Sequence, residues 1–327
     1  MRIHIAALGG TIASTATDSG GVAPSATAQA IVETARIDTL PFPVDVTYEQ
    51  VAQVGSGSIT LDHVSQVVES AKKAREEGAA AVVLTQGTDT LEETTFALSL
   101  MNDSSIPIVT TGAMRNPTLP GTDGPANVRS AIITAADPRI HMLPAVLVFA
   151  DEVHDPSLVR KTHTTSAASF SSGPGAGPLG WVREDRLVFL PMPAPLPGTL
   201  TRATSAQKAQ VALVEVTLDD SLAYVDFLKQ AGYSAAVLAG VGGGHVPVNV
   251  LERVTALASE MPVVYCARTG AGRTLEATYG YPGAELDLQA AGMIPAGRLD
   301  ARKARILTIL ALESSTKIED VFSYFRQ

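Results

Sequence analysis

Apolar residues in this chain run in short blocks, each followed by a longer stretch where they recur every three or four positions. Blocks at 3–8, 44–48, 80–85, 106–110 and 145–149 are too short for helices and read as buried strands. The segments 61–77, 91–101 and 124–136 carry helical periodicity. Such alternation predicts βαβ units and a parallel sheet. Asp62 and Asp123 stand near helix starts, where a carboxylate can cap, and Gly78 stands where the first of these helices ends.

From residue 171 to 201 the texture changes. S-S-G-P-G-A-G-P-L-G leads into W-V-R-E-D-R-L-V-F-L, a hairpin pattern turning at Glu184 and Asp185. The run P-M-P-A-P-L-P-G follows, and its repeated prolines can continue neither a helix nor a central strand. Residues 191–206 are therefore expected to link two domains. Beyond them, strand blocks at 211–216, 235–239 and 263–267 alternate with helical segments at 219–231 and 248–259. A helical pair at 300–313 and 317–325 closes the chain. The predicted fold is α/β, with a larger N-terminal catalytic domain over 1–190 and a smaller C-terminal α/β domain over 207–327. No repeat of solenoid type occurs.

Composition narrows the function classes. Hydrophobic residues make up 46% and charged residues 17% of the 327, so the chain can bury a large core. The net charge is −9 and its Lys and Arg are scattered, which argues against the basic footprint of a nucleic-acid binder. Cys266 is the only cysteine, so neither an intrachain disulfide nor a cysteine-rich zinc site is available. The longest apolar runs, such as 143–150, fall far short of the ~20 residues that span a bilayer. No signal-peptide pattern precedes the first strand. A cytoplasmic protein with neither nucleic-acid nor membrane partners is expected.

Two of the strand blocks end in hydroxyl chemistry. Residues 3–14 read I-H-I-A-A-L-G-G-T-I-A-S and residues 82–93 read V-V-L-T-Q-G-T-D-T-L-E-E. Each block meets glycine and then threonine, Thr11 and Thr88, with Asp89 beside the second. In an open α/β sheet the carboxyl ends of the strands form the crevice that binds ligands. Gly9 and Gly10 allow a tight turn that exposes the Thr11 hydroxyl, although the same hydroxyl can simply cap the next element. Thr88 and Asp89, followed by Glu92 and Glu93, also match a capping box. The two roles are compatible, because a helix N-terminus favours an anionic ligand as well.

Residues 14–25, rich in Gly, Ser and Thr, read as a mobile loop able to close over a site. Lys161 lies in L-V-R-K-T-H-T-T after the block at 145–149. It is either a solvated loop charge or the base for a threonine hydroxyl at the same sheet edge. The turn V-G-S-G at 54–57 offers a backbone nest and the Ser56 hydroxyl to a carboxylate. In G-V-G-G-G-H, His245 occupies the place of the third glycine of a dinucleotide loop. The histidines show no metal-ligand spacing, and neither a P-loop nor a G-x-S-x-G elbow occurs. No cofactor and no metal are expected.

Together these segments resemble the bacterial-type L-asparaginase family over nearly the whole chain. The resemblance rests on L-G-G-T-I-A around Thr11, T-Q-G-T-D-T-L-E-E-T around Thr88, T-G-A-M-R at 111–115 and D-G-P-A-N at 123–127. It continues through A-A-D-P at 135–138, K-T-H-T-T at 161–165, G-P-L-G at 177–180 and L-D-A-R-K-A-R-I-L near the C-terminus. It implies a flavodoxin-like parallel sheet in the larger domain and assembly as a homodimer or homotetramer. The implied reaction is hydrolysis of L-asparagine to L-aspartate and ammonia through an acyl-enzyme. Thr11 would attack the side-chain amide carbon. Thr88, Asp89 and Lys161 would form a second catalytic group, in which Lys161 activates or orients Thr88. Asp89 would also take the substrate's α-ammonium, Ser56 its α-carboxylate, and Gly57 and Ala113 would line the pocket. Which threonine is acylated stays open at this level.

Three positions depart from the family pattern. Residues 15–30 hold no tyrosine where the family's lid carries one, Gly57 stands where glutamine is frequent, and His245 replaces an asparagine. The missing glutamine predicts a preference for asparagine over glutamine. A mixed glutaminase-asparaginase is the nearest alternative. A subunit that deamidates glutamate-loaded transfer RNA precursors would carry an extra N-terminal domain. A non-catalytic sensor of small amino acids would lack Thr11, Thr88 or Lys161, and all three are present.

Overall fold

The computed structural model describes residues 1–10, 12, 14–16, 22–24, 27–189, 198–202 and 208–326. These fall into two compact units, Met1–Thr199 and Leu200–Gln327. Most of the expected linker, 191–206, lies outside the described residues.

The first unit begins with β1 (Arg2–Ala7), the short strands β2 (Ser14–Ala16) and β3 (Val22–Pro24), α1 (Ala28–Glu33) and β4 (Asp45–Gln50). Next come α2 (Leu61–Glu76), β5 (Ala81–Thr85), α3 (Leu91–Met101), β6 (Ile108–Thr111), α4 (Gly124–Ala136) and β7 (Ala145–Phe149). It ends with β8 (Glu152–His154), β9 (Arg160–Lys161), β10 (Phe170–Ser171), β11 (Gly180–Arg183) and β12 (Arg186–Phe189). The main sheet has the order β12-β11-β8-β7-β6-β5-β1-β4. Strands β4, β1, β5, β6 and β7 are mutually parallel. Counted among themselves, those five run 2-1-3-4-5, the flavodoxin-like order, whose switch point lies between the first and third strands. That point falls between β1 and β5, the two strands that lead to Thr11 and Thr88.

Helices cover both faces of this sheet, so its central strands are apolar throughout: β5, A-V-V-L-T, is buried at every position. Ile3, Ile5 and Ala7 of β1 pack with Val83, Val109 and Val146 against Ile31 and Val32 of α1 and Val128 and Ile132 of α4. Val64, Val67, Val68, Ala71 and Ala74 make the buried stripe of α2. Thr60 caps that helix in a reciprocal pair with His63, leaving Asp62 in the first turn without the capping role.

The edge beyond β7 is antiparallel, through β8, β11 and β12. Only its hairpin was legible as a pattern. Glu184 and Asp185 both take left-handed conformations at the turn, as a two-residue hairpin requires.

The second unit comprises β13 (Val211–Glu215), β14 (Ala235–Gly240), α5 (Val248–Glu260), β15 (Val263–Ala267), α6 (Glu285–Ala290), β16 (Ile294–Pro295), α7 (Ala301–Glu313) and α8 (Ile318–Ser323). Its sheet, β13-β14-β15-β16, is wholly parallel. The helix expected over 219–231 is instead a single 3-10 run, Ala223–Phe227. Asp219 and Leu222 sit at φ 62° and 49°. The Asp220 carboxylate accepts the Leu222 N–H at 2.9 Å, an Asx turn that competes with helix. Asp300 caps α7, accepting from the N–H groups of Arg302 and Lys303.

Candidate active site

Four strand-to-helix turns meet at the carboxyl edge of the first unit's sheet, and glycine lets them meet closely. A side-chain carbon on Gly10 would lie 2.1 Å from the nitrogen of Gly87 and 2.2 Å from its Cα. One on Gly87 would lie 2.9 Å from the Ser56 Oγ. One on Gly112 would lie 2.4 Å from the carbonyl oxygen of Gln86. At Gly10 and Gly112 such clearances leave no room for a Cβ, so the turn after β1 rests directly on the turn after β5, against which Ser56 also rests.

Gly87 opens a 3-10 turn, Thr88–Thr90, that feeds α3. Its Thr88 is buried, and the hydroxyl does not cap the helix. Instead the Lys161 Nζ donates to Thr88 Oγ1 at 2.9 Å and to Asp89 Oδ1 at 2.9 Å. The other Asp89 oxygen accepts from the Ser56 hydroxyl at 2.9 Å, and the Asp89 N–H donates back to Ser56 Oγ at 3.3 Å. Hydrogen bonding from Lys161 outweighs partial burial and, with Ser56, holds the Asp89 carboxyl below the usual carboxylate range. Its side chain is 68% exposed against 16% for Lys161. The carboxylate therefore faces solvent while the threonine hydroxyl and the ammonium lie behind it. A small cation can reach Asp89, and a carbonyl set above Thr88 would stand beside a lysine-bound hydroxyl.

The expected site residues are only partly gathered in the described structure. Thr88, Asp89, Lys161 and Ser56 form one hydrogen-bonded group. Thr11 lies outside the described residues, with Gly10 and Ile12 described on either side. Gly57 follows Ser56, and a side-chain carbon added there would meet nothing within 4 Å. Ala113 is fully buried and belongs to the apolar core together with Ile12, so its methyl packs inward. The segment 14–25, expected as a loop, contains a paired hairpin in which Ser14 faces Pro24 and Ala16 faces Val22. Asp123 stands at the N-cap position of α4 without capping it. Its carboxylate accepts the N–H groups of Met114 and Arg115, which ties down the turn after β6.

Several participants carried no distinctive signal. Thr90 Oγ1 donates to the Ser56 carbonyl at 2.8 Å, and Gln86 Nε2 donates to Thr90 Oγ1 at 3.3 Å. Glu92, buried, accepts the Lys161 N–H at 3.4 Å. Glu92 matched a capping box in the sequence, and only the third dimension separates that use from this one. In the second unit, His245 lies 2.8 Å from Glu285 through Nε2 and 2.6 Å from the Tyr281 hydroxyl through Nδ1. Among the described residues no group of three or more His, Cys, Asp or Glu is arranged to hold a metal ion. No described helix is long and apolar enough to cross a membrane.

Fold and cluster together define a doubly wound α/β protein with a lysine-held threonine at its switch point. Residues 2–194 match the family model for the asparaginase N-terminal domain, and residues 210–325 match that for the glutaminase/asparaginase C-terminal domain. The L-asparaginase of Bacillus licheniformis is 30% identical over 99% of this chain and 99% of its own. L-asparaginase 2 of Escherichia coli is 31% identical over 100% of this chain and 93% of its own. A crystal structure of a probable cytoplasmic L-asparaginase from Campylobacter jejuni superposes with a TM-score of 0.84 at 26% identity, covering 99% of this chain and 98% of that one. The chain belongs to the bacterial-type L-asparaginase family.

Proposed function

We propose that this protein is an L-asparaginase that hydrolyses L-asparagine to L-aspartate and ammonia by threonine nucleophilic catalysis. The observation that carries the reading is the contact of one ammonium, Lys161, with both the Thr88 hydroxyl and the Asp89 carboxylate. In this reading the Thr11 hydroxyl adds to the side-chain amide carbon. The tetrahedral adduct collapses to an ester, the nitrogen takes a proton, and ammonia leaves. Thr88 and Lys161 then handle the proton of the water that cleaves the ester, which releases aspartate and restores Thr11. Asp89 accepts the substrate's α-ammonium through a charge-assisted bond, and Ser56 receives its α-carboxylate. Gly57 and the main chain at Ala113 border the same space.

Glutaminase-asparaginases are among the relatives; that of Pseudomonas aeruginosa is 29% identical over 98% of this chain. The open space at Gly57 favours asparagine as the better substrate, because no side-chain amide there holds the amino-acid end while a longer side chain is ordered. Residues 1–190 would be the catalytic domain, 191–206 the linker and 207–327 the second domain. A homotetramer or homodimer and a cytoplasmic setting belong to the same proposal, the latter supported by the C. jejuni likeness. Ammonia release measured side by side with L-asparagine, L-glutamine and their D-forms tests it. Activity on L-asparagine is expected, and none on any of the four would overturn the reading.

A further inference from the structure

Lys161 does not lie on the main sheet. It occupies the two-residue strand β9, which among the described residues pairs with β10 alone. In that pairing Lys161 stands opposite Phe170, and Arg160 opposite Ser171. An ammonium that must meet two oxygens at 2.9 Å each needs this hairpin held in register by something outside it.

Part of the hold is apolar. The Phe170 ring lies tilted on Phe149 with centroids 4.7 Å apart, and Val159 shares their cluster with Leu91 and Leu147. Apolar contact is non-directional and tolerates sliding. Two directional ties fasten the hairpin: the long 3.4 Å bond from the Lys161 N–H to Glu92 on β9, and, one residue beyond β10, the Ser172 Oγ lying 3.0 Å from His154 Nδ1. His154 is a residue of β8, opposite Leu147 of β7, so it belongs to the main sheet and faces the same layer as the hairpin. Its side chain is 1% exposed, and the Nε2 lies 3.5 Å from Glu152 Oε2. Glu152 in turn accepts the Trp181 Nε1–H of β11 at 3.3 Å. Through its Nδ1 the ring fastens the return end of the excursion 154–172 to β8.

We propose that His154 and Ser172 form a clasp that positions Lys161 against Thr88, a role that rests on the reading of Lys161 as the proton-handling group. His154 touches no reacting atom. It acts through Ser172, β10 and β9, and its loss lets Lys161 drift from the threonine hydroxyl while Ser56 and Asp89 keep their own turns.

The test compares His154→Leu, His154→Asn and Ser172→Ala with the unaltered protein in ammonia release from L-asparagine, with thermal melts run alongside. An asparagine side chain can present an amide atom where Nδ1 stands, so it can keep the Ser172 bond; leucine cannot. Because a misplacement of about 1 Å can cost ~100-fold, kcat for His154→Leu and Ser172→Ala should fall about tenfold or more, with KM within about threefold. His154→Asn should return kcat to within about threefold of the unaltered protein. A Ser172→Ala enzyme with kcat within about twofold of normal overturns the clasp, as does an asparagine variant as slow as the leucine one. Failure of the unaltered protein to release ammonia overturns the reading of Lys161, and the clasp with it. Normal turnover by the unaltered protein beside an unaffected Ser172→Ala overturns the clasp alone.

Discussion

Each unit carries a polar cluster at the carboxyl end of a parallel strand, and the two are finished in opposite ways. After β5, Asp89 divides its oxygens between Lys161 and Ser56 and still faces solvent. Beside His245, which follows β14, Glu285 at the start of α6 is wholly buried. One of its oxygens accepts the N–H groups of Thr278 and Tyr279 at 2.6 Å each, and the other stands 2.8 Å from His245. A buried carboxylate that gathers backbone N–H groups on one oxygen holds a loop in place. A carboxylate left at the mouth of a crevice, kept ionised by a lysine, is available to a cation that comes and goes. Damage to the first cluster should therefore appear in turnover, and damage to the second in stability.

The largest effect should come from Thr11→Ala. If the hydroxyl acts only in the transition state, kcat should fall by several orders of magnitude, at about 1.4 kcal/mol per decade, with little change in the melting temperature. Retention of more than about a tenth of normal kcat would remove Thr11 from the mechanism. Glu285→Ala strips the shared acceptor from the N–H groups of Thr278 and Tyr279 and empties a wholly buried position, and should cost about 1–3 kcal/mol in denaturant unfolding. Asp89→Ala, at a largely exposed side chain, should change stability by less than about 1 kcal/mol and raise KM instead. Equal stability losses for the two would erase the contrast between the clusters.

Acid should act on the first unit through His154, which burial pushes down to about 4. The unfolded chain carries an ordinary histidine near 6.5, so between these values it binds a proton that the folded protein refuses. The neutral-histidine stability is complete above the unfolded value and falls as the pH drops from there toward 4, by about 3 kcal/mol in all. His154→Asn should flatten that slope in unfolding curves recorded from pH 7 to 4, and an unchanged slope would count against a buried neutral ring. The smallest effect should be Gly57→Gln, which has room for the side chain. One added hydrogen bond of about 0.5–1.5 kcal/mol should raise glutamine turnover relative to asparagine. A native kcat/KM for glutamine within about threefold of that for asparagine would contradict the preference itself.

The parallel core was legible because covered strands must be apolar and short, and β7 and α3 fall where periodicity set them, at Ala145–Phe149 and Leu91–Met101. The hairpin β9–β10 was not, since two-residue strands have no period to read. The false helix at 219–231 arose because its composition suited a helix while Asp220 had a local bond of its own to make. At the site, Thr88, Asp89 and Lys161 stood out through their glycine and threonine neighbours. His154 and Ser172 did not, because a buried histidine and a serine near glycines look like any others until their 3.0 Å contact is seen.

The most direct test of the account is steady-state ammonia release by Lys161→Met on L-asparagine. Lys161 is the group that joins Thr88 to Asp89, and methionine keeps most of its length while removing every donor. The account predicts a fall in kcat of about a thousandfold or more, with KM changed by less than about tenfold and the fold intact. A Lys161→Met protein whose kcat stays within about tenfold of normal would contradict it.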